Sequence, residues 1–232
     1  MKISPGDLTR LRRLLLAEHG RIEDWSEDFP LHAAASDPLA ALIATVLSQA
    51  TNDRNSSRAF ADLCRTFLTW SEVLSAPEAA VAAAIARGGL GSQKAKTIQA
   101  ILARLLADRG SLALDFLASM PPGEARAYLL SLPGVGPKTA ACVQLFSLGQ
   151  KAFPVDTHVH RVARRLGLVP QKADAAKTQA LLEEMIAPEE CLPLHLLLIQ
   201  HGRRFCRPAK PRCGECPLRK DCPASESAQQ ER

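Results

Sequence analysis

Apolar positions recur along this chain at helical spacing, segment after segment. Leu39, Leu42, Ile43, Val46 and Leu47 follow i, i+3, i+4, i+7 and i+8, which is one buried face of an α-helix. Ser36-Asp37-Pro38 opens that helix with a capping residue and a proline in the first turn, where the missing N–H costs nothing. The polar cluster "LSQATNDRNSS" (47–57) ends it. Phe60, Leu63, Cys64 and Phe67 repeat the spacing, and Cys64 is expected to be a small core residue, as are Cys142 and Cys191. A glycine-rich break, "ARGGLGSQKA" (86–95), precedes Ile98, Ile101, Leu102 and Leu105, and this amphipathic helix closes near Gly110. Helices are predicted over 123–132 and 138–148, and Asp156 reads as the N-cap of "THVHRVARRLG" with Gly167 as its stop. Another apolar stretch spans 193–200, and 223–232 reads as a frayed polar tail. No strand pattern or internal repeat interrupts this, so the fold class is all-α.

Composition narrows the class. With 232 residues, 47% hydrophobic and 23% charged, the chain has the balance of a globular protein of one or two domains. Its net charge of +5 leans toward a polyanionic partner. No apolar run approaches the ~20 residues of a membrane span, and Met1–Gly20 lacks the order of a signal peptide. The expected location is therefore cytoplasmic, where disulfides are rare and the seven cysteines need another explanation.

Two stretches carry candidate chemistry. In "SLPGVGPKTA" (131–140) a tight turn separates two helices. Gly134 and Gly136 lack a Cβ, so the turn around Val135 can turn backbone N–H groups toward an anion, and the positive end of the second helix points the same way. Such a turn holds DNA phosphate without reading sequence. Lys138 follows at once. Neighbouring helical N–H dipoles disfavour an ammonium there, and a neutral amine is a nucleophile that forms a Schiff base with a latent aldehyde such as the anomeric carbon of deoxyribose. A plain phosphate contact is the other reading of Lys138.

"CRPAKPRCGECPLRKDC" places Cys206, Cys213, Cys216 and Cys222 as C-x6-C-x2-C-x5-C. The intervening Arg, Lys and Pro leave no apolar stripe, so a metal site is indicated, and the spacing accepts either zinc or a four-iron cluster. Arg207, Lys210, Arg212, Arg219 and Lys220 between the ligands would make the pinned loop a phosphate-binding surface.

Taken together, "LPGVGPKTA", "VDTHVHRV" (155–162) and the cysteine tail resemble the endonuclease III family of DNA glycosylases, in the helix–hairpin–helix superfamily, over about residues 30–222. The resemblance implies two helical domains with the active site in the cleft between them. One is discontinuous, 1–34 plus 153–232, and carries a [4Fe–4S] cluster on Cys206, Cys213, Cys216 and Cys222. The other, 35–152, contains the helix–hairpin–helix at about 123–148. It also implies a bifunctional enzyme that excises oxidised pyrimidines and then cuts the strand. Lys138 takes the nucleophile's place and Asp156 that of the catalytic carboxylate. Leu90 becomes a wedge into the base stack, while Gly134, Val135, Gly136, Arg212 and Lys220 contact the DNA backbone. The implied partner is double-stranded DNA with damaged pyrimidines or abasic sites, bound by a monomer in a bacterial nucleoid. Asp156 has a physical rationale of its own, since a carboxylate facing the sugar can stabilise positive charge as the base departs. His158 and His160 read as backbone or phosphate contacts on the same helix.

Two motifs depart from the family. Where bacterial members read L-S-A-Q-A-T-D this chain has Leu47-Ser48-Gln49-Ala50-Thr51-Asn52-Asp53, so the glutamine that fills the flipped base's place is displaced by one, to Gln49. The residue before the lysine is Pro137, where the family carries a base. The rival readings are a monofunctional adenine glycosylase, which lacks the lysine, and a DNA-binding module without catalysis.

Overall fold

The structure is a computed structural model that describes residues 5–20 and 36–225. The expected boundary at 34/35 and the polar tail from 226 onward lie outside the described residues. Helix is the regular secondary structure of those residues, with no strand among them, and they include no helix long and apolar enough to cross a membrane. The chain divides into two compact units, one of Met1–Asp24 with Lys151–Arg232 and one of Trp25–Gln150. Helix α1 (Pro5–His19) belongs to the first.

The Trp25–Gln150 unit is built around α2 (Pro38–Ser48). Asp37 caps it, its Oδ1 accepting from the N–H groups of Leu39 and Ala40 at 2.9 and 3.1 Å. The stripe expected from the sequence is buried, and so is the opposite side: every residue from Pro38 to Leu47 is inside. Small residues allow this, because Ala40, Ala41 and Ala44 let neighbouring helices close on the second face. Helix α3 (Asp53–Thr66) starts within the polar cluster that ends α2, because Asn52 caps it by accepting from the N–H of Asn55 at 2.9 Å. Its Leu63 is fully buried, but Cys64 is exposed, contrary to the core position expected from its spacing. The inward face of α3 is only as wide as Ser56, Ala59 and Leu63, and Cys64 falls one step beyond its edge.

Two short helices follow, α4 (Trp70–Ser75) and α5 (Glu78–Ala84), and then α6 (Gly91–Arg109), which ends at Gly110 in the left-handed conformation, φ 67°. Ile98, Ile101, Leu102 and Leu105 are fully buried, as their spacing predicts. The last pair, α7 (Pro122–Ser131) and α8 (Pro137–Phe146), is braced by buried Gln144. Its Nε2 donates to the Pro122 carbonyl at 2.8 Å and its Oε1 accepts from Arg126 Nε at 2.8 Å.

In the other unit α1 is joined by α9 (Thr157–Arg165), α10 (Ala175–Met185) and α11 (Pro188–Arg204). Helices α9 and α11 pack closely at Gly202, where a Cβ would stand 2.8 Å from the Cβ of His158. Cys191 is buried here, as Cys142 is in α8, so two of the three expected core cysteines are inside.

Leu63→Ala should lower unfolding free energy by about 2–5 kcal/mol, whereas Cys64→Ala should stay within about 0.5 kcal/mol. Denaturant unfolding of the two variants measures the contrast.

Candidate active site

The turn between α7 and α8 is fixed by Pro133 and Gly134. Gly134 has φ +70°, and the Val135 N–H donates to the Leu132 carbonyl at 3.2 Å, so proline and glycine hold the two central positions that a type II turn demands. A Cβ on Gly134 would stand 2.6 Å from Thr97 Cγ2, so the turn also rests directly on α6. Gly136 is different: its φ of −97° suits any residue, and a Cβ there would meet nothing within 4 Å. Val135 is buried and its N–H is engaged in the turn, which leaves the anion-facing donors to others. The N–H groups of Gly136, Lys138 and Thr139 open the first turn of α8 and meet no acceptor among the described residues. Lys138 is half-buried on this turn, and no described carboxylate pairs with its amine.

The same unit brings Gln49 to the hairpin. Its Nε2 donates to Thr139 Oγ1 at 3.4 Å, beside Lys138, and the next residue, Ala50, is left-handed at φ 52°. Leu90 occupies the N-cap of α6, also left-handed (φ 53°, ψ 37°), with its side chain 57% exposed. A branched apolar residue held outward in a conformation natural to glycine is strained, and such strain clusters at functional positions.

Sequence reasoning missed Lys94, in the first turn of α6. It is 3% exposed, and its Nζ donates to the carbonyls of Leu47 and Gly88, each at 2.8 Å. Burial pushes its pKa down from the usual lysine range. The available signal was its place one helical turn before Ile98, on the apolar stripe of α6.

Asp156 lies in the other unit and caps α9, its Oδ1 accepting from the Val159 N–H at 2.7 Å. It is half-buried. His160 bonds to the Ala173 carbonyl at 2.8 Å, a backbone contact as expected, and His158 Nδ1 lies 3.1 Å from Arg161 Nη2. Burial pushes the His158 pKa down.

The four terminal cysteines line one cavity of about 930 Å³ within that unit. Two arginines of α9 hold its loop, and sequence reasoning missed them as well. Arg161 donates to the Cys206 and Gly202 carbonyls at 2.7 and 3.0 Å. Arg165 donates to the Arg207 and Pro208 carbonyls at 2.7 and 3.0 Å and reaches Cys206 Sγ at 3.5 Å. Sulfur acceptors elsewhere meet N–H donors, Leu218 for Cys216 and Ala224 for Cys222, while the Ser225 N–H donates to the Cys222 carbonyl at 3.0 Å. His201 Nε2 lies 3.5 Å from Cys216 Sγ. Burial pushes the Cys216 thiol up to about 11 and raises Cys222. Among the described residues no three His, Cys, Asp or Glu side chains gather tightly enough to hold a single metal ion. Arg212 and Lys220 are exposed on the loop.

A family model described as "HhH-GPD superfamily base excision DNA repair protein" matches residues 43–188. The chain is 37% identical to a putative DNA glycosylase of Arabidopsis thaliana over 229 residues, covering 92% of this chain and 78% of that one. It is 34% identical to endonuclease III of Thermotoga maritima over 194 residues, covering 84% of this chain and 86% of the other. Among solved structures, a trapped endonuclease III–DNA covalent intermediate aligns with a TM-score of 0.76 at 28% identity, over 97% of this chain and 98% of its own.

The two hairpin glycines should separate by experiment. Gly134→Ala forces a left-handed alanine against Thr97 and should cost about 1–2 kcal/mol in stability. Gly136→Ala should change stability by no more than about 0.5 kcal/mol. The added methyl takes space in front of the free N–H groups, so affinity for duplex DNA should fall. Thermal unfolding and DNA titration of both variants check this.

Proposed function

The chain belongs to the HhH-GPD superfamily of base excision DNA repair proteins, and within it to the endonuclease III family; from that premise we propose that it is a bifunctional DNA glycosylase and abasic-site lyase acting on oxidised pyrimidines in duplex DNA. The observation that carries this reading is Lys138, half-buried and without a described carboxylate partner, on a turn whose N–H groups are free to hold the neighbouring phosphate.

In this mechanism the hairpin N–H groups bind backbone phosphate and set the sugar beside the lysine. The amine of Lys138 attacks the anomeric carbon as the glycosidic bond breaks, and the base leaves with the bonding electrons and takes up a proton. Positive charge grows on the sugar during this step, and the Asp156 carboxylate stabilises it. Only one Asp156 oxygen is engaged in capping α9, which supports a second task for the group. The sugar ring then opens: the C1′–O4′ bond breaks, the ring oxygen takes up the proton that the amine sheds, and the resulting iminium with Lys138 acidifies the adjacent sugar carbon. Loss of that proton expels the 3′ phosphate with its electron pair, and water then releases the lysine. Leu90 enters the stack as the base leaves it, and Gln49 fills the gap beside the hairpin.

The four thiols fit a [4Fe–4S] cluster. They line a roomy cavity rather than converging on a point, and N–H donors already face the sulfurs of Cys206, Cys216 and Cys222. Cys206, Cys213, Cys216 and Cys222 would hold the cluster. When bound it supplies iron–thiolate bonds that close the loop bearing Arg212 and Lys220.

Lys138→Ala should abolish borohydride-trapped adducts and lower both base excision and strand cleavage by about a thousandfold or more, with little change in DNA affinity. A trapped adduct at wild-type yield would show that another amine is the nucleophile. Asp156→Asn keeps a good helix cap while removing charge, so the fold should persist and base excision should slow. Cleavage at pre-formed abasic sites should be partly retained.

The anaerobically purified protein should contain about four iron and four sulfide per chain. Stoichiometric zinc without iron would overturn the cluster assignment.

A further inference from the structure

Lys94 has no task in the mechanism above, yet it is a nearly fully buried ammonium whose described partners are two neutral carbonyls. Burying a charge beside neutral groups is costly, and a methionine would fill the same volume without that cost. The identity of its acceptors accounts for its presence. The Leu47 carbonyl belongs to the last turn of α2, two residues before Gln49, and is one of the orphan carbonyls at the negative end of that helix. The Gly88 carbonyl ends the short 3-10 turn Ala86–Gly88, two residues before Leu90. Gly88 itself sits so close to α3 that a Cβ would stand 3.1 Å from the Cβ of Ala59, so this loop rests directly on the core. One turn further along α6, Thr97 supports Gly134 of the hairpin.

We infer that Lys94 is a positioning residue: its ammonium ties the loop bearing Leu90 to the end of α2 bearing Gln49, holding the two side chains that replace an extruded base at a fixed spacing. This rests on the glycosylase reading. The clamp keeps the left-handed Leu90 strained outward before DNA arrives, so ordering of the wedge need not be supplied during extrusion.

The test is a double-mutant cycle of Lys94→Met and Leu90→Ala in the intact holoenzyme, reading single-turnover excision from a thymine-glycol duplex. Lys94→Met should slow excision from a fully paired duplex about tenfold, as expected when two buried carbonyls lose their donor, while affinity for undamaged duplex changes less than about twofold. With the lesion opposite a mismatch, where less stacking must be broken, the loss should shrink to about threefold or less. In the Leu90→Ala background Lys94→Met should cost under about twofold more, because the wedge it positions is gone. Equal losses on paired and mismatched duplexes, or full additivity in the cycle, would overturn the inference and leave Lys94 a packing residue. Should Lys94→Met not fold, Lys94→Gln keeps one set of donors and is put through the same cycle, with the same pattern at smaller size expected. If the wild-type protein excises no lesion the functional reading fails, and amide exchange decides the clamp alone. Segments 47–51 and 86–92 should then exchange faster in the variant than in wild type, and unchanged exchange in both would refute it.

Discussion

A helix with no exposed face must find partners for its terminal polar groups inside the protein, and α2 is such a helix. Its amino end is satisfied locally, by Asp37. At its carboxyl end Gln49 and Ala50 are exposed, but Leu47 is buried, and a lysine 47 residues away supplies a donor to the Leu47 carbonyl. Much of the Trp25–Gln150 unit follows from this constraint. Helices α3 and α8 close on α2 because its second face is alanine, α6 must bring its first turn to the end of α2, and the glycine-rich loop before α6 is drawn in with it. The segments bearing Gln49, Leu90 and Lys138 are thereby hung from one buried helix.

The cysteine loop is organised by an opposite device. Here little apolar surface is available, and the guanidinium groups of Arg161 and Arg165 reach from α9 to carbonyls along the loop. A planar fork with several donors can satisfy successive carbonyls at once, which a lysine could not do as well. These arginines bond inward to the chain, while Arg212 and Lys220 on the loop itself remain exposed. Positive charge in this segment thus does two separate jobs, holding the backbone and facing outward.

Much of the helical framework was legible in the sequence because it is written in local rules. The capping residues Asp37 and Asp156, the stop at Gly110 and the buried stripe of α6 all follow from spacings of four residues or fewer. Periodicity gives the direction of a face but not its width, so it points Cys64 inward although the residue is exposed, and it says nothing of the second buried face of α2. Asn52, within the polar cluster that ends α2, is the cap of α3, because a polar cluster serves either purpose. Lys94, Arg161 and Arg165 escaped notice for a deeper reason. Their partners are backbone carbonyls distant in sequence, and a carbonyl looks the same at every position. Lys138 stood out by the turn it follows, whereas for Asp156 the local signal gave only a cap, and its assignment to chemistry came from the resemblance.

Leu90 is the residue whose conformation the fold would most readily give up. Holding a leucine at φ 53° costs about 1–3 kcal/mol that glycine or asparagine would not incur. Its exposed side chain returns little of that through packing. Selection for thermal stability alone would therefore replace it, and the same replacement would remove the side chain proposed to enter the base stack. Variants hardened for heat by unguided screening are thus at risk of surviving as sound scaffolds that have lost their purchase on DNA damage.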